Sequence, residues 1–447
     1  MFREKLPTMF RSSRVLPAAL AVLCSWLLTT RTATALGLEE AVRLAVANNE
    51  RSLKVPLRVD TAEGQLDRAR SSFLPTLSAN GSGTLRTQNA APASAARSAF
   101  SADSAVNLTQ PLVTMPSIPL YSQASHQLES ERHASRQDRR ILAFDAARAF
   151  LQVLTAERVL EASSRRLDRA RANLDNASGR AEAQLASVND VTRANIEMTS
   201  SQREVAQAQG SVTRAYVQLE FLLRRQVAGP LTPPDAMTRE AEQTATKLED
   251  LVKTAFDRRP DLKAAAERTL ALHASAREPL YRIFPTLGAT GRVSSTLAPT
   301  LAHDESVLLT VTWTAFDGGA RYGDHRSRAA QAASQELDES LLRRSVEADI
   351  RLALASLKAA RDSYKISMEA VVFAQKNTEE TEILYRQGLA RAIELTDATA
   401  RRFDAEVARA TAQLAMQQAY LELRFALGLG PMGDDVEAPR DSRGEAR

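Results

Sequence analysis

The sequence predicts a mainly α-helical chain that also contributes strands to a membrane β-barrel. Three observations predict it: the chain is a duplicated unit, each half carries very long helices with an apolar stripe, and each half carries a pair of short strand segments. Of the 447 residues 44% are hydrophobic but only 5% are aromatic, a balance that favours long helices over a thick aromatic core. The formal charge of +4 comes from 58 basic and 54 acidic residues. These are interleaved along the helices, as on solvated faces, and do not form a nucleic-acid footprint.

The first residues carry Arg3, Lys5, Arg11 and Arg14, then an apolar run from position 15 to 28, then Ala33-Thr34-Ala35. Basic start, apolar centre and small-x-small ending make a secretory signal, with the cut expected after Ala35. The apolar run is shorter than the ~20 residues that span a bilayer as a helix. Cys24, the single cysteine, lies inside that run and follows Leu23, whereas a lipidated cysteine follows a small residue. The mature chain is therefore expected to lack thiols, disulfides and lipid. No later stretch reaches the length of a transmembrane helix, so membrane crossing requires a closed barrel.

The duplication sets the domain plan. Leu38-Glu39-Glu40-Ala41-Val42-Arg43 recurs as Leu248-Glu249-Asp250-Leu251-Val252-Lys253, and Phe73-Leu74-Pro75-Thr76-Leu77 recurs as Ile283-Phe284-Pro285-Thr286-Leu287. Late in each half, Ala215-Tyr216-Val217-Gln218-Leu219 matches Ala419-Tyr420-Leu421-Glu422-Leu423. Motifs repeated in one order mark an internal repeat. The repeats are expected at 36–227 and 248–430. The Gly-Pro-rich stretch that begins at position 228 cannot continue a helix and is read as a linker over 228–247. The tail, 431–447, lacks apolar periodicity and is read as disordered.

Each half has the same order of elements. A short helix (38–49, 248–258) leads into a helix of about six turns that stops before Pro75 or Pro285. Two strand segments follow. In the first half Phe100, Ala102, Ser104, Val106 and Leu108 alternate with Ser101, Asp103, Ala105, Asn107 and Thr109. In the second, Val307, Leu309, Val311 and Trp313 alternate with Ser306, Leu308, Thr310 and Thr312. Each set has one apolar face and one mostly polar face, with Leu308 out of pattern. Helices of roughly 60 to 70 residues come next, from 118 and from 320. Leu342, Val346, Ile350, Leu354 and Leu357 step by three and four, the spacing of a packed stripe. A return helix of about 37 residues ends each half, from 188 and from 391; with the six-turn helix it matches the long helix in height.

Four amphipathic strands cannot close a barrel alone, because the smallest barrels use about eight. Open edges in lipid leave amides unsatisfied. Two copies would close about eight strands around a filled interior, whereas three give about twelve around a lumen. Three or more copies are expected. The lumen would be lined by Asp103, Asn107, Thr109, Thr310 and Thr312, with Trp313 at an aromatic girdle.

The repeated leader, the Pro-Thr-Leu pair at 75 and 285, Phe316-Asp317-Gly318-Gly319 after the fourth strand and Tyr385-Arg386-Gln387-Gly388-Leu389 before the last helix together resemble the TolC-like outer-membrane efflux proteins, over nearly the whole mature length. The resemblance implies a homotrimer with a 12-stranded barrel in the outer membrane and an α-helical barrel in the periplasm. It further implies a tip closed at rest and engaged by a membrane-fusion adaptor and an inner-membrane pump, proton-driven or ATP-driven. It assigns Glu394, Asp397, Tyr385 and Asp190 to the periplasmic gate, the first two as carboxylate rings. Gly388, Leu389 and Gln184 fall at the adaptor-contacting tip. Gln184 stands where the family has glycine, and Ala390, beside Arg391, where it has the latching arginine.

An enzyme lacks support. There is no phosphate-binding glycine loop, nucleophile elbow or zinc helix motif, and His126 with His133 is a loose spacing on one helix. No cofactor or metal is expected. A periplasmic coiled-coil protein would explain the helices but not the strand pairs or the signal. Within the channel class, efflux of drugs or other toxic solutes is the reading adopted, with type I protein secretion as its alternative.

Overall fold

The computed structural model describes residues 36–85, 100–227, 230–243, 247–298 and 301–433. The signal segment with Cys24 and positions 434–447 of the tail lie outside them. The first repeat runs α1 (Leu38–Asn48), α2 (Glu50–Ser71), β1 (Thr76–Leu85), β2 (Phe100–Val113), α3 (Ser117–Glu182) and α4 (Val188–Leu223). After α5 (Asp235–Gln243), the second runs α6 (Leu248–Arg258), α7 (Pro260–Tyr281), β3 (Thr286–Ala298), β4 (Ala302–Thr312), α8 (Ala320–Arg386) and α9 (Ala392–Ala426). The repeats therefore match element by element.

Each break between elements has a local cause. Asn49 separates α1 from α2 with an extended backbone, and its Oδ1 accepts from the Arg51 N–H at 3.0 Å, an N-cap. In the second repeat, Arg259 is extended and Pro260 opens α7, the helix position where a missing N–H costs nothing. Gly319, in the left-handed region at φ 88°, turns the chain from β4 into α8.

The long helices α3 and α8, 66 and 67 residues, carry the architecture. Arg58 of α2 pairs with Glu131 and Asp138 on the early part of α3, and Arg166 on its later part pairs with Glu197 and Glu204 of α4. Two shorter helices thus stack along one long one. Against α8, Thr269 of α7 bonds Glu339 at 2.8 Å, and Thr378 bonds the Ala398 carbonyl of α9 at 3.1 Å. The expected stripe is buried at Val346, Ile350 and Leu357, with Leu342 and Leu354 packed on its edge.

The densest core lies where the short helices wrap this bundle. Ala143, Ala146, Ala147 and Ala149 of α3 are buried beside Phe144 and Phe150; small side chains let helices approach while the rings fill the gaps. Phe144 meets Phe425 edge-on at 5.1 Å. Three buried arginines converge on the end of α9. Arg140 donates to the Phe425 and Leu429 carbonyls, Arg259 to Ala426 and Arg424 to Gly430. They bring donors and positive charge to the negative end of the helix dipole. Gly428, at φ +80°, lies so close to Arg258 and Arg259 that an added Cβ would sit 3.0 Å from them.

The described part of the expected linker, residues 230–243, is more than a bare connector. It builds α5, whose Met237 and Ala241 are buried. Tyr420 donates to Glu240 at 2.8 Å, Gln417 to Thr238 at 2.9 Å and Arg361 to the Ala241 carbonyl at 3.0 Å. Leu36, first residue after the expected signal cut, forms a parallel bridge with Leu231. Partners distant in sequence hold this segment.

The strands form one antiparallel meander in the order β1-β2-β3-β4, so β2 and β3 join the repeats. Leu77, Leu108, Gly291 and Val307 lie in one cross-strand row. Their face is exposed and continues through Leu309, Val311 and Trp313. The outer edges of β1 and β4 have no strand partner among the described residues. Among those residues, no helix is long and apolar enough to cross a membrane.

Candidate functional site

The far end of the bundle consists of two hairpin turns, α3 to α4 and α8 to α9. In the first, the Leu185 N–H donates to the Arg180 carbonyl at 2.7 Å and the Gln184 N–H to Ala181 at 3.0 Å. In the second, Leu389 donates to Leu384 at 2.9 Å and Gly388 to Tyr385 at 3.0 Å. Both are Schellman turns, which need a left-handed residue after the helix. Gly388 has φ 77° and Gln184 has φ 59°. The glutamine therefore makes the same turn as the glycine, at a backbone cost.

Asp190 and Glu394 start the return helices in equivalent ways. Asp190 Oδ2 accepts from the Ser187 N–H at 3.3 Å, and Glu394 Oε2 accepts from the Arg391 N–H at 3.4 Å. Ser187 Oγ also accepts from Asn189 N–H at 3.0 Å. The Ser187-x-x-Asp190 spacing is a capping-box signature legible in the sequence. Asp397 is exposed and pairs with Arg401, one turn further along, at 3.2 Å.

Tyr385 is where the hairpins meet. Arg180 Nη1 donates to its carbonyl at 2.9 Å, and the guanidinium lies 5.1 Å from its ring centre. Nothing in the sequence pointed to Arg180. Tyr385 and Asp190 border one narrow cleft, with Arg193, Glu197, Leu395 and Thr396. Glu394 and Asp397 do not line it. Both are exposed near the start of α9, and Leu185 and Leu389 project at the turns, 71% and 74% exposed.

Behind the tip, charged side chains tie the helices together. Arg166 lies between Glu197 and Glu204 and 4.9 Å from the Phe403 ring centre. Glu406 accepts from Arg165 at 2.8 Å and Arg402 at 3.1 Å. Burial pushes the Glu406 carboxyl up, but hydrogen bonds and charge from Arg165 and Arg402 outweigh it and hold the group below its usual range.

At the opposite end, the pairing register puts Asp103, Asn107, Thr109, Thr310 and Thr312 on one face of the sheet. Asp103 accepts from Thr296 at 3.1 Å, Asn107 donates to Asn80 at 2.9 Å and Thr109 meets Thr290 at 3.4 Å. Leu308 shares this face, as the alternation foresaw. Where sheet and helices join, Trp313 Nε1 donates to the Ile283 carbonyl at 2.9 Å, and Tyr281 and Phe284 stack edge-on at 6.1 Å.

Comparison with known proteins bears on this geometry. The model of the outer membrane efflux protein family matches residues 41–223 and 251–429, one match per repeat. The chain belongs to the outer membrane efflux protein family. It is 23% identical over 405 residues to the outer membrane protein TolC of Vibrio cholerae, covering 88% of this chain and 90% of that protein. Its fold is similar to that of a Pseudomonas aeruginosa membrane protein, with a TM-score of 0.77 at 21% identity, covering 88% of this chain and 92% of that one. The Campylobacter jejuni CmeC outer membrane channel gives 0.77 at 15% identity, covering 90% and 87%. The Neisseria gonorrhoeae MtrE outer membrane channel gives 0.74 at 19%, covering 90% and 91%. This is a family of outer-membrane channels and not of enzymes.

Proposed function

We propose that three copies form the outer-membrane exit duct of a tripartite efflux system and passively conduct drugs or other toxic small molecules from periplasm to exterior. The observation that carries this reading is the open four-stranded sheet, whose apolar face ends at two strand edges without partners among the described residues. Those edges are unsatisfied in lipid until neighbouring copies pair with them. About twelve strands then surround a water-filled lumen. On this reading the polar face with Asp103, Asn107, Thr109, Thr310 and Thr312 lines that lumen, and the helical barrel extends into the periplasm.

The hairpin turns form the periplasmic tip. Gly388, Leu389 and Gln184 meet a membrane-fusion adaptor that also holds an inner-membrane pump. Tyr385 and Asp190, at one cleft, hold the tip closed, while Glu394 and Asp397 supply carboxylate rings to the constriction. The test combines native mass measurement in detergent with planar-bilayer recording. A trimer with a small, stable resting conductance is expected, as is greater drug sensitivity when the gene is deleted. A conducting monomer would overturn the reading, as would a trimer whose loss leaves drug tolerance unchanged.

A further inference from the structure

Arg158, Arg165, Arg169 and Arg180 are spaced by seven, four and eleven residues along α3, so they fall on one stripe of the helix. Three of them find partners in the second repeat. Arg158 donates to Gln413, Arg165 to Glu406 at 2.8 Å and Arg180 to the Tyr385 carbonyl at 2.9 Å. Arg169 makes no ion pair or side-chain hydrogen bond among the described residues.

The register between α3 and α9 explains the exception. From Arg158 to Arg165 α3 advances seven residues, and from Gln413 to Glu406 α9 goes back seven, so the two helices run antiparallel in step. Four residues further, Arg169 comes level with Arg402. The place across the seam therefore holds a like charge. Burial and Arg402, with a lesser push from Arg165, hold the Arg169 guanidinium below its usual range against the pull of Glu406 and Glu382. Both of those acids are engaged by other arginines. Glu406 accepts from Arg402 at 3.1 Å as well as from Arg165, and Glu382 pairs with Arg386. Glu161, the second partner of Arg165, is 69% exposed and lies toward solvent. The side chains of Arg402 and Glu406 are only 15% and 14% exposed, and Arg169 is partly buried beside them. Inside the seam, three guanidinium groups share one carboxylate.

We infer that Arg165, Arg169 and Arg402 form a binding site for a compact dianionic oxyanion, of which inorganic phosphate is the simplest. Three guanidinium groups against one carboxylate leave two positive charges uncompensated, and a dianion matches them. A guanidinium presents paired N–H donors that fit two oxygens of such an anion. An anion between Arg169 and Arg402 replaces their repulsion with two attractions, while Glu406 keeps its bond to Arg165. Partial burial makes these attractions stronger than at an open surface. Solvent still reaches Arg169, so the anion has access, and binding weakens as salt rises. The site stands about 20 Å of helix before the first hairpin turn and is separate from the tip. It goes beyond the reading of the chain as a duct, because the seam lies within one chain whatever the number of copies.

Phosphate itself is the probe. Full-length protein in detergent is titrated with sodium phosphate by calorimetry at about pH 8, where phosphate is a dianion, and thermal unfolding is compared in phosphate and in chloride at equal ionic strength. Wild type should bind phosphate with a millimolar dissociation constant and unfold several degrees higher in phosphate than in chloride. Arg169→Gln should lose both effects yet unfold in chloride no lower than wild type, because it removes the repulsion by Arg402. Arg169→Lys, which keeps the charge without the paired donors, should bind several-fold more weakly than wild type. Arg268→Gln, which removes an exposed arginine of α7, should respond to phosphate as wild type does. Equal phosphate binding by wild type and Arg169→Gln would overturn the inference, and so would a wild type that binds none. A lower unfolding temperature of Arg169→Gln in chloride would overturn it too, by showing that the chain itself supplies the partner of Arg169.

Discussion

Arg180 and Tyr385, 205 positions apart, join the two hairpins through a main-chain hydrogen bond and a cation–ring contact, at 2.9 Å and 5.1 Å. Neither contact uses the phenolic hydroxyl. Arg180→Ala should therefore loosen the tip and raise resting conductance, whereas Tyr385→Phe should leave it at the wild-type level. The stability lost with Arg180 should be about 1–3 kcal/mol, the range of one charged hydrogen bond with a modest cation–π term. Conductance and thermal unfolding of the two variants check this.

Gln184 holds a left-handed backbone that favours glycine. Gln184→Gly should stabilise the protein by about 0.5–1 kcal/mol, since relief of strain outweighs the added freedom of the unfolded chain. Gly388→Ala, the reverse change at the equivalent turn, should destabilise by about 1 kcal/mol. Chemical denaturation of both would reveal the opposite signs.

Glu278 is buried at the end of α7, and it accepts from Arg282 at 2.8 Å and pairs with Arg328 at 2.9 Å. These bonds anchor the junction of helix and barrel. Glu278→Gln should cost about 2–3 kcal/mol, because Arg328 loses its anion and Arg282 keeps only Asp324. A lowered unfolding temperature with unchanged trimer mass is the expected result.

Glu406 makes a pH-dependent contribution. Its carboxyl is depressed below the ordinary value of 4.5, burial being outweighed by Arg165 and Arg402. A depressed acid contributes stability that is fully present above the unfolded pKa and is lost as pH falls through the folded one. Glu406→Gln should therefore unfold at lower temperature than wild type at pH 7, and the two should converge below pH 4.5. Parallel curves across that range would show that Glu406 contributes no ionic stabilisation.

Removing Glu394 and Asp397, two exposed acids near the start of α9, tests the constriction. Glu394→Ala with Asp397→Ala should raise resting conductance modestly and weaken both cation selectivity and block by trivalent cations, with assembly intact. A negative ring in a confined space concentrates cations, so its loss reduces their advantage. Unchanged selectivity would put both carboxylates away from the pore.

Helix limits were readable because their signals are local. Pro260 and Gly388 end or begin elements by backbone geometry alone, and the stripe from Leu342 to Leu357 needs only helical spacing. The strands were readable from alternation, which survives even the misplaced Leu308. α5 was hidden because the Gly-Pro run before it reads as a connector, and its burial depends on Tyr420, Gln417 and Arg361. Gln184 gave no turn signal, since glutamine rarely takes a positive φ.

The sequence by itself determined the duplication, the lengths and order of the helices and the two-faced strands. Those features follow from backbone chemistry and from side-chain periods of two and three to four residues. Only the tertiary structure decided that Arg180 lies on Tyr385 and that Arg140, Arg259 and Arg424 close the end of α9. Such pairings join residues tens to hundreds of positions apart, and any of the many arginines could have made them. Helix packing chose among them, because a guanidinium bonds only what the fold brings within its reach.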